Sequence, residues 1–369
     1  MTRSKALYVG AISLSVVLVA ALLVALVLLS IGASPLETYK TILTGPLSDL
    51  FGVTEVLVRS VPLMLVGLGI AISFRSGILN IGAEGQIQMG VLAATAMALA
   101  LPTAPKVVAL PAMLLAGALA GAVWGGIAGW LKARLQVNEI LSTVMLNYIA
   151  AQVHTYLLRG PMLDPSELQT GSGTPQSMRL PEASFLDQIV PGTRLHAGLI
   201  LALVMAALVW VLLWKTTLGY RMRASGAGAK AARYAGIPVE RYLIVAMLLA
   251  GGFAGLAGAV EVSGVHHRAI EGISSGYGFA GIVVALFGML HPGGIVPSAA
   301  FFGLLLIGAD MTQRTASVPA NMVLVLQGVI ILSIVSAQSF LRNPYAQERF
   351  SRWLGAFSAG GKTGKGGQS

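Results

Sequence analysis

The chain contains no cysteine and few charged residues. Among its 369 residues cysteine is absent and only 10% are charged. The absence of thiols excludes disulfides, thiol nucleophiles and thiolate metal sites. A soluble globular domain carries about 25% charged residues, so the low charge content excludes an ordinary soluble fold. Hydrophobic residues make up 56% of the chain and the mean hydropathy is +0.80, which indicates an integral membrane protein.

The sequence also lacks the patterns of a metal site or an enzyme active site. Its five histidines show no metal-binding spacing. There is no Ser-His-Asp order, no pair of catalytic carboxylates and no cofactor fingerprint. Gly361-Lys362-Thr363 near the end lacks the glycine spacing of a P-loop. We therefore expect a chain that is not an enzyme and that binds no metal or cofactor itself.

Long apolar runs predict about ten transmembrane helices, because about 20 apolar residues cross the hydrocarbon core of a bilayer. The first run, Ala6 to Ile31, is too long for a signal peptide and is expected to remain as a span. The other spans are predicted at 56–74, 87–101, 107–131, 138–158, 196–214, 242–264, 276–290, 294–311 and 318–340. Several of these are short or broken. The fold class is an all-α polytopic membrane protein.

The distribution of basic residues predicts the orientation in the membrane. With the N-terminus in the cytoplasm and ten spans, 16 of the 24 Lys and Arg residues fall on the cytoplasmic side, and most acidic residues fall outside. This asymmetry follows the positive-inside rule, so the net charge of +10 needs no nucleic-acid partner. An even number of spans also places the C-terminus in the cytoplasm.

Composition divides the chain into one domain and a tail. Residues 1–341 are predicted to form a single transmembrane domain. Within it, 159–195 is rich in Pro, Gly and Ser and forms an external loop, whereas 215–241 is basic and cytoplasmic. Residues 342–369 form a cytoplasmic tail that is expected to be disordered from about 358, because Gly, Lys and Ser predominate there.

Glycines form two kinds of pattern. Gly117, Gly121, Gly125 and Gly129 recur at every fourth residue, and Gly251, Gly255 and Gly258 form a similar series. Ridges of this kind let membrane helices approach closely. Glycine-rich breaks near 77–85 and 272–278 each precede a short span, and the spans that lead into them run in opposite directions in the predicted topology. This arrangement predicts an inverted internal repeat, which is common in transporters.

The break at 77–88 places polar side chains at membrane depth, where they are costly unless they face protein or water. If a helix resumes near Ile81, then Asn80, Glu84 and Gln88 share one face and Gln86 points elsewhere. One interpretation is the lining of a polar pathway. The alternative is that Glu84 has a structural role and accepts hydrogen bonds from loop N–H groups. The predicted lining of the substrate pathway is Asn80, Glu84, Gln86, Gln88, Ser274, Ser275, Tyr277 and Phe279.

Two further polar residues lie within or at the ends of predicted spans. Glu261 falls near the outer end of its span, where a position at the membrane interface is expected. Asn147 is an isolated amide within a span, and a hydrogen bond to another helix accounts for it.

The basic segment 221–238 has a more specific pattern. Residues 229–235 predict a short Ala-rich helix that ends at Gly236, and Pro238 prevents its continuation. A helix this short is marginal in water, so it is expected to dock on another surface. That surface is either a partner protein, the rest of the bundle, or anionic lipid.

Three ordered motifs resemble one transporter family. The stretch from Gly77 to Gly90, the stretch from Arg223 to Ile237 and the stretch from Gly278 to Gly294 are similar to the signatures of bacterial ABC importer permeases of the branched-chain amino acid/simple-sugar/nucleoside family. The resemblance covers roughly residues 55–340. The first motif is most like that of the nucleoside and simple-sugar branch. In this family a coupling segment docks into the ATPase. The resemblance of the second motif implies that the residues of this segment are Arg223, Gly226, Ala231, Ala232, Arg233, Tyr234 and Gly236.

The resemblance implies a multi-pass subunit of the bacterial plasma (inner) membrane that imports nucleosides or related simple sugars. A separate ABC ATPase would bind ATP and Mg²⁺, and an external binding protein would deliver the substrate. The second permease is expected to be a paralogue, with a homodimer as the other arrangement. Branched-chain amino acid or sugar import by the same family is the nearest alternative. A proton-coupled secondary transporter that uses Glu84 is the alternative from another class.

Overall fold

The computed structural model describes residues 18–19, 21–26, 28–29, 32, 34–167, 175–315 and 328. Regular structure within these residues is helical. The helices are α1 (Pro35–Thr44), α2 (Leu50–Arg75), α3 (Ala83–Ala100), α4 (Lys106–Leu135), α5 (Glu139–Arg159), α6 (Gly198–Lys215), α7 (Thr217–Ala227), α8 (Ala229–Tyr234), α9 (Val239–Glu261), α10 (Tyr277–Phe287) and α11 (Pro292–Thr315). A π-helical turn, Val262–His266, extends α9.

Eight of the predicted spans, those from 56 to 311, each coincide with a described helix. Among the described residues, five helices are long and apolar enough to cross a membrane: Leu50–Arg75, Lys106–Leu135, Gly198–Lys215, Val239–His266 and Pro292–Gln313. The chain is therefore an integral membrane protein. The span at 318–340, apart from residue 328, and the tail lie outside the described residues, as does most of the first span.

Two compact units divide the chain. One comprises residues 43–307 and the other comprises the terminal parts, 1–42 and 308–369. In the terminal unit, Gly308 approaches Ile42 so closely that a Cβ atom on it would lie 2.2 Å from the Ile42 carbonyl oxygen. Every feature of the candidate site belongs to the unit of residues 43–307.

Helix α2 lies at the centre of the larger unit. Its most apolar stretch is 89% buried within the protein, whereas the corresponding stretches of α4 and α6 are only 22% and 28% buried. The N-terminus of α2 is capped by Asp49, whose carboxylate accepts a hydrogen bond from the Gly52 N–H at 2.6 Å. Because α2 is mostly apolar and buried, and is surrounded by α6, α9 and α10, it is a core helix. The exposed apolar faces of α4 and α6 are suited to contact lipid or another subunit.

The predicted glycine ridges pack against each other. A Cβ atom on Gly121 would lie 2.3 Å from the Gly251 carbonyl oxygen, and one on Gly255 would lie 2.2 Å from the Gly117 carbonyl oxygen. The backbones of α4 and α9 are therefore in direct contact, as small-residue ridges predict. Gly258 continues this contact onto α3, because its Cβ position is 2.4 Å from the Ile87 carbonyl oxygen. The packing role predicted for these glycines is confirmed.

The segment 175–195 of the predicted external loop is held against the chain that follows α9. Backbone hydrogen bonds join Ser177 N–H to the Ala269 carbonyl at 2.9 Å and Leu180 N–H to the His267 carbonyl at 2.9 Å. His267 has φ 55° and stacks on Phe185, with ring centroids 3.9 Å apart. This part of the loop is thus anchored to the residues that come just before the second glycine-rich break.

Candidate functional site

The first break separates α2 from α3. Helix α2 ends at Arg75, Gly77 has φ 84°, and α3 begins at Ala83. Glycine suits this turn because a left-handed φ is strained for other residues. Gly82 N–H donates to the Asn80 side chain at 2.9 Å, which fixes the path of the chain into α3.

Asn80 and Gln86 form a buried pair of amides. The Asn80 Nδ2 atom donates to Gln86 Oε1 at 3.0 Å, and Gln86 Nε2 donates to Asn80 Oδ1 at 3.1 Å. Asn80 precedes α3 because the helix resumes at Ala83 and not near Ile81. The prediction that Asn80 shares a helix face with Glu84 and Gln88 is therefore wrong, and Gln86 is its partner.

The side chain of Asn147, on α5, caps the start of α3. Its Nδ2 atom donates to the Ile81 carbonyl at 2.9 Å, and its Oδ1 atom accepts from Gly85 N–H at 2.8 Å. Its side chain thus caps a helix on a neighbouring element. The interhelical hydrogen bond predicted for Asn147 is confirmed, although its contact with the break was not predicted, because no local signal indicates which N–H it meets.

Glu84 joins the two breaks. Its carboxylate accepts from Gly276 N–H at 3.2 Å and from Gly278 N–H at 2.8 Å, at the start of α10. A carboxylate at this position satisfies free N–H groups and is favoured by the helix dipole. The position for a Cβ on Gly278 is only 2.3 Å from Glu84 N, so the backbones also touch. Glu84 was interpreted either as part of a polar pathway or as a structural residue that accepts hydrogen bonds from loop N–H groups. These contacts favour the structural role.

Gln88 retains hydrogen-bonding capacity. It lies one turn after Glu84 on α3, and its Nε2 atom is 3.5 Å from the Ser274 hydroxyl. Its Oε1 atom is buried and has no partner among the described residues. A buried acceptor without a partner is uncommon and costly. Gln88 and Ser274 are therefore the predicted pathway residues best able to accept a ligand hydroxyl or amide.

The remaining predicted residues of the second break point in different directions. Tyr277 is buried and its hydroxyl accepts a hydrogen bond from Arg59 Nη1. Ser275 is exposed with φ 46°, and Phe279 is 50% exposed on α10. The structure thus brings Glu84, Gln88, Ser274 and Tyr277 towards one region, whereas Asn80 and Gln86 are enclosed and Phe279 faces outward.

A polar cluster adjoins Tyr277 and was not predicted. It surrounds a cavity of about 40 Å³ lined by Glu55, Val58, Arg59, Arg194, Glu261, Val265, His266 and Tyr277. Glu55 is paired with Arg194 through two hydrogen bonds, one of 2.8 Å from Nε to Oε1. The carboxylate of Glu55 raises the pKa of Arg194. Glu55 and Arg59, one turn apart in an apolar helix, were the sequence signal for this cluster.

Glu261 belongs to the same cluster. It is only 4% exposed and lies 3.5 Å from His266 Nε2. The π-helical turn ends at His266, so the Glu261 carboxylate is enclosed by protein, and its position at the membrane interface stays a prediction.

The predicted coupling segment forms two helices. Helix α8 occupies Ala229–Tyr234, and Gly236 follows it with φ 78°, so the predicted short helix and its stop are confirmed. Tyr234 is 95% exposed, and Ala231 is also exposed, whereas Ala232 packs inward. Arg233 binds Glu240 through Nε at 3.0 Å and through Nη2 at 2.5 Å, which ties α8 to the start of α9.

Gly226 of α7 contacts the first break directly. A Cβ atom on Gly226 would lie 2.1 Å from the Arg75 carbonyl oxygen, and one on Gly77 would lie 2.9 Å from the Gly226 Cα atom. The Arg223 side chain turns towards α6, where Nε donates to the Leu213 carbonyl at 2.9 Å. The coupling segment is therefore in direct contact with the turn that leads to Asn80.

Comparison with known proteins identifies the family. Residues 52–335 match the family described as branched-chain amino acid transport system / permease component. The chain is 36% identical to the glucose ABC transporter permease protein of Haloferax volcanii, over 85% of this chain and 84% of the relative. It is 36% identical to a guanosine ABC transporter permease protein of Bacillus subtilis (85% and 89% covered) and 31% identical to a nucleoside ABC transporter permease protein of Lactococcus lactis (85% and 87% covered).

The chain belongs to this family of ABC importer permeases. It is thus a transport subunit rather than an enzyme, and the family implies a separate ATPase and a substrate-binding partner. In each of the three organisms a second permease protein also matches, at 28 or 29% identity.

Proposed function

We propose that the protein imports nucleosides as one permease of an ATP-driven complex. Two of the three relatives described above are named for guanosine or nucleosides and one for glucose. One observation supports the choice of a neutral, hydroxylated substrate. At the starts of both α3 and α10, protein side chains already accept hydrogen bonds from the backbone N–H groups. Glu84 accepts from α10 and Asn147 accepts from α3. At these two described helix starts the N–H groups are already bonded to protein acceptors, which disfavours the binding of a phosphate there and so disfavours nucleotides.

Substrate contact is assigned first to Gln88 and Ser274. Gln88 has a buried Oε1 atom without a partner among the described residues, and its contact with Ser274 is long at 3.5 Å. Amide and hydroxyl groups suit the ribose hydroxyls and base edges of a nucleoside. Glu84 positions the start of α10, and Asn80 and Gln86 position the start of α3.

Coupling to ATP hydrolysis is assigned to α7 and α8. The exposed side chain of Tyr234 and the surface around Ala231 and Gly236 are the parts of α8 that an ATPase would bind. Movement of α7 would act on the first break through the contact of Gly226 with Arg75 and Gly77. ATP and Mg²⁺ belong to the partner subunit in this scheme.

The wider architecture follows the same scheme. The proposal keeps ten spans in a transmembrane domain of residues 1–341, with both termini and the 342–369 tail in the cytoplasm. It is supported by the eight predicted spans that coincide with described helices and by the distribution of basic residues. Two glycine-rich breaks, each followed by a helix and joined through Glu84, support an inverted repeat. A paralogous second permease is supported by the two different permease relatives in each of three organisms.

Competition for uptake tests the substrate. Cells or vesicles that contain the complete complex should take up labelled guanosine or uridine. Unlabelled nucleosides should compete, whereas ribose, glucose, leucine and nucleobases should not. Competition by glucose or leucine together with no competition by nucleosides would overturn the substrate assignment in favour of the sugar or amino acid alternative.

A further inference from the structure

A basic cleft lies between the end of α2 and the side of α7. Its volume is about 590 Å³, and it is lined by Phe74, Arg75, Tyr220, Arg223, Ala224, Gly226 and Ala227. The two arginines give the cleft a positive charge, and Tyr220 adds a hydroxyl that is well exposed. None of the pathway residues lines it, so it is separate from the proposed substrate route.

The two arginines lie against one indole ring. The guanidinium carbon of Arg75 is 4.8 Å from the centre of the Trp214 ring, and that of Arg223 is 5.7 Å from it. Arg75 donates to the Leu290 carbonyl at 2.5 Å and to the Met289 carbonyl at 3.2 Å. These contacts fix the positions of both charged groups and leave N–H donors unused, since a guanidinium carries five.

No carboxylate neutralises this pair of arginines within the part of the chain that the structure describes. Like charges held near one ring repel each other, and an anion between them relieves that repulsion. A phosphate group is the natural occupant, because guanidinium groups bind phosphate through paired hydrogen bonds.

The surroundings of the cleft indicate a membrane edge. Helices α2 and α6 both have the length and hydropathy of membrane spans, and they end at Arg75 and Lys215. The contact between Arg75 and Trp214 places the two ends at one level. The α6 side chains that precede the cleft, Leu208, Trp210 and Val211, are exposed and apolar. Basic and aromatic residues at the ends of spans are typical of the lipid headgroup region.

We propose that this cleft binds the phosphate of an anionic phospholipid headgroup. An acidic group of the ATPase is the rival occupant, but Arg223 is held against α6, the apolar span, by its hydrogen bond to the Leu213 carbonyl and its contact with Trp214. The site takes its lipid from the leaflet at this end of α2 and α6, which the basic residues predict to be cytoplasmic. The proposal depends on membrane insertion and on neither the substrate nor the ATPase.

The test measures lipid binding by the full-length protein in detergent. Melting temperature is followed while short-chain phosphatidylglycerol or phosphatidylcholine is added, because a ligand of the folded state raises it. Phosphatidylglycerol should stabilise the wild type and phosphatidylcholine should not. Arg223→Gln should weaken the apparent affinity for phosphatidylglycerol about tenfold, since charge-assisted hydrogen bonds are lost. Arg241→Gln, which removes the same charge from an exposed position outside the cleft, should not.

Further arms separate the possible occupants. Equal losses in Arg223→Gln and Arg241→Gln would show diffuse attraction and overturn the site. Inorganic phosphate that displaces the lipid at similar concentrations would assign the cleft to free phosphate instead. Unchanged lipid binding in Arg223→Gln, with loss of the co-purified ATPase, would assign it to the ATPase. Tyr220→Phe, which keeps the aromatic ring, should also weaken phosphatidylglycerol binding and serves if Arg223→Gln does not fold.

Discussion

The carboxylate of Glu84 accepts a hydrogen bond of 2.8 Å from the backbone N–H of Gly278, which lies 194 residues further along the chain. A second bond, from Gly276 N–H at 3.2 Å, completes the cap at the start of α10. The two breaks in the sequence therefore meet at one place, and a charged side chain of the first stabilises the second. Any movement of α3 must carry α10 with it or break these bonds.

Removal of the Glu84 carboxylate should loosen the start of α10. Glu84→Ala leaves two N–H groups without an acceptor, which costs about 1–3 kcal/mol per unpaired buried group. We expect a lower melting temperature of the purified complex and reduced uptake, with Glu84→Gln intermediate because it keeps one oxygen. Glu182→Ala, at an exposed position of the external loop, is the control. Wild-type stability and uptake in Glu84→Ala would contradict the capping role.

Contact between α4 and α9 should not tolerate a methyl group at the ridge. In Gly121→Ala the new Cβ lies 2.3 Å from the Gly251 carbonyl oxygen, and overpacking of this kind costs about 1–3 kcal/mol. The matched variant is Gly252→Ala on α9, where the nearest atom is 3.5 Å away. Thermal unfolding should show destabilisation of Gly121→Ala only. Similar melting temperatures for both variants would contradict the packing of the ridges.

Gly226 should be needed for coupling between ATP hydrolysis and transport. A Cβ atom at this position would lie 2.1 Å from the Arg75 carbonyl oxygen, so Gly226→Ala must separate α7 from the first break. We expect ATP hydrolysis to continue while substrate uptake falls about tenfold or more. A tenfold fall corresponds to a rise of about 1.4 kcal/mol in the activation free energy of transport. Gly228→Ala is the control, because its nearest contact is 3.9 Å away. Equal uptake by the two variants would show that the contact of α7 with the first break is not needed for coupling.

Tyr234 should bind the ATPase without stabilising the permease. Its side chain is 95% exposed, so Tyr234→Ala should leave the melting temperature of the isolated permease unchanged. Buried aromatic residues dominate many protein interfaces, and the same change should reduce co-purification of the ATPase. Tyr148→Ala, 66% exposed on α5, is the control. Full ATPase recovery with Tyr234→Ala would contradict docking through this side chain.

The packing of residues 175–195 against the chain that follows α9 should become less stable at acidic pH. Burial lowers the pKa of His267 below its ordinary value of 6.5, and the positive charge of Arg179 lowers it further, as does His266. Because protonation is easier in the unfolded chain, the stabilisation is complete above about pH 6.5 and is lost as the pH falls through the lower pKa of the folded state.

His267→Asn tests this dependence. Asparagine tolerates the left-handed φ of 55° at this position but does not titrate. The melting temperature of the wild type should fall between pH 7.5 and pH 5 by more than that of His267→Asn. Identical pH profiles for the two proteins would exclude His267 as the titrating group.

The helices and their ends were largely predictable, because they depend on local patterns. Apolar runs located α2 to α6 and α9 to α11, and the glycines at every fourth residue located the contact between α4 and α9. Gly236 likewise marked the end of α8 through its need for a left-handed φ. In each case the physical cause lies within a few residues of its effect.

The partners of the polar side chains were not predictable in the same way. Glu55 pairs with Arg194, 139 residues away, and Asn147 accepts from Gly85, 62 residues away. The sequence shows that each polar group at membrane depth needs a partner, but many partners satisfy that need equally well. The predicted helix face was wrong for Asn80, because α3 begins two residues later than expected, which leaves Asn80 outside the helix and paired with Gln86.

We propose above all that this permease moves a nucleoside and that the energy comes from ATP hydrolysed by its partner. The most direct measurement is uptake of labelled guanosine by proteoliposomes that contain the full complex and its binding protein, with ATP or a non-hydrolysable analogue supplied to the ATPase. We expect uptake with ATP, none with the analogue, no effect of a proton uncoupler, and loss of uptake in Gln88→Ala. Uptake that persists without hydrolysis and collapses with the uncoupler would contradict it.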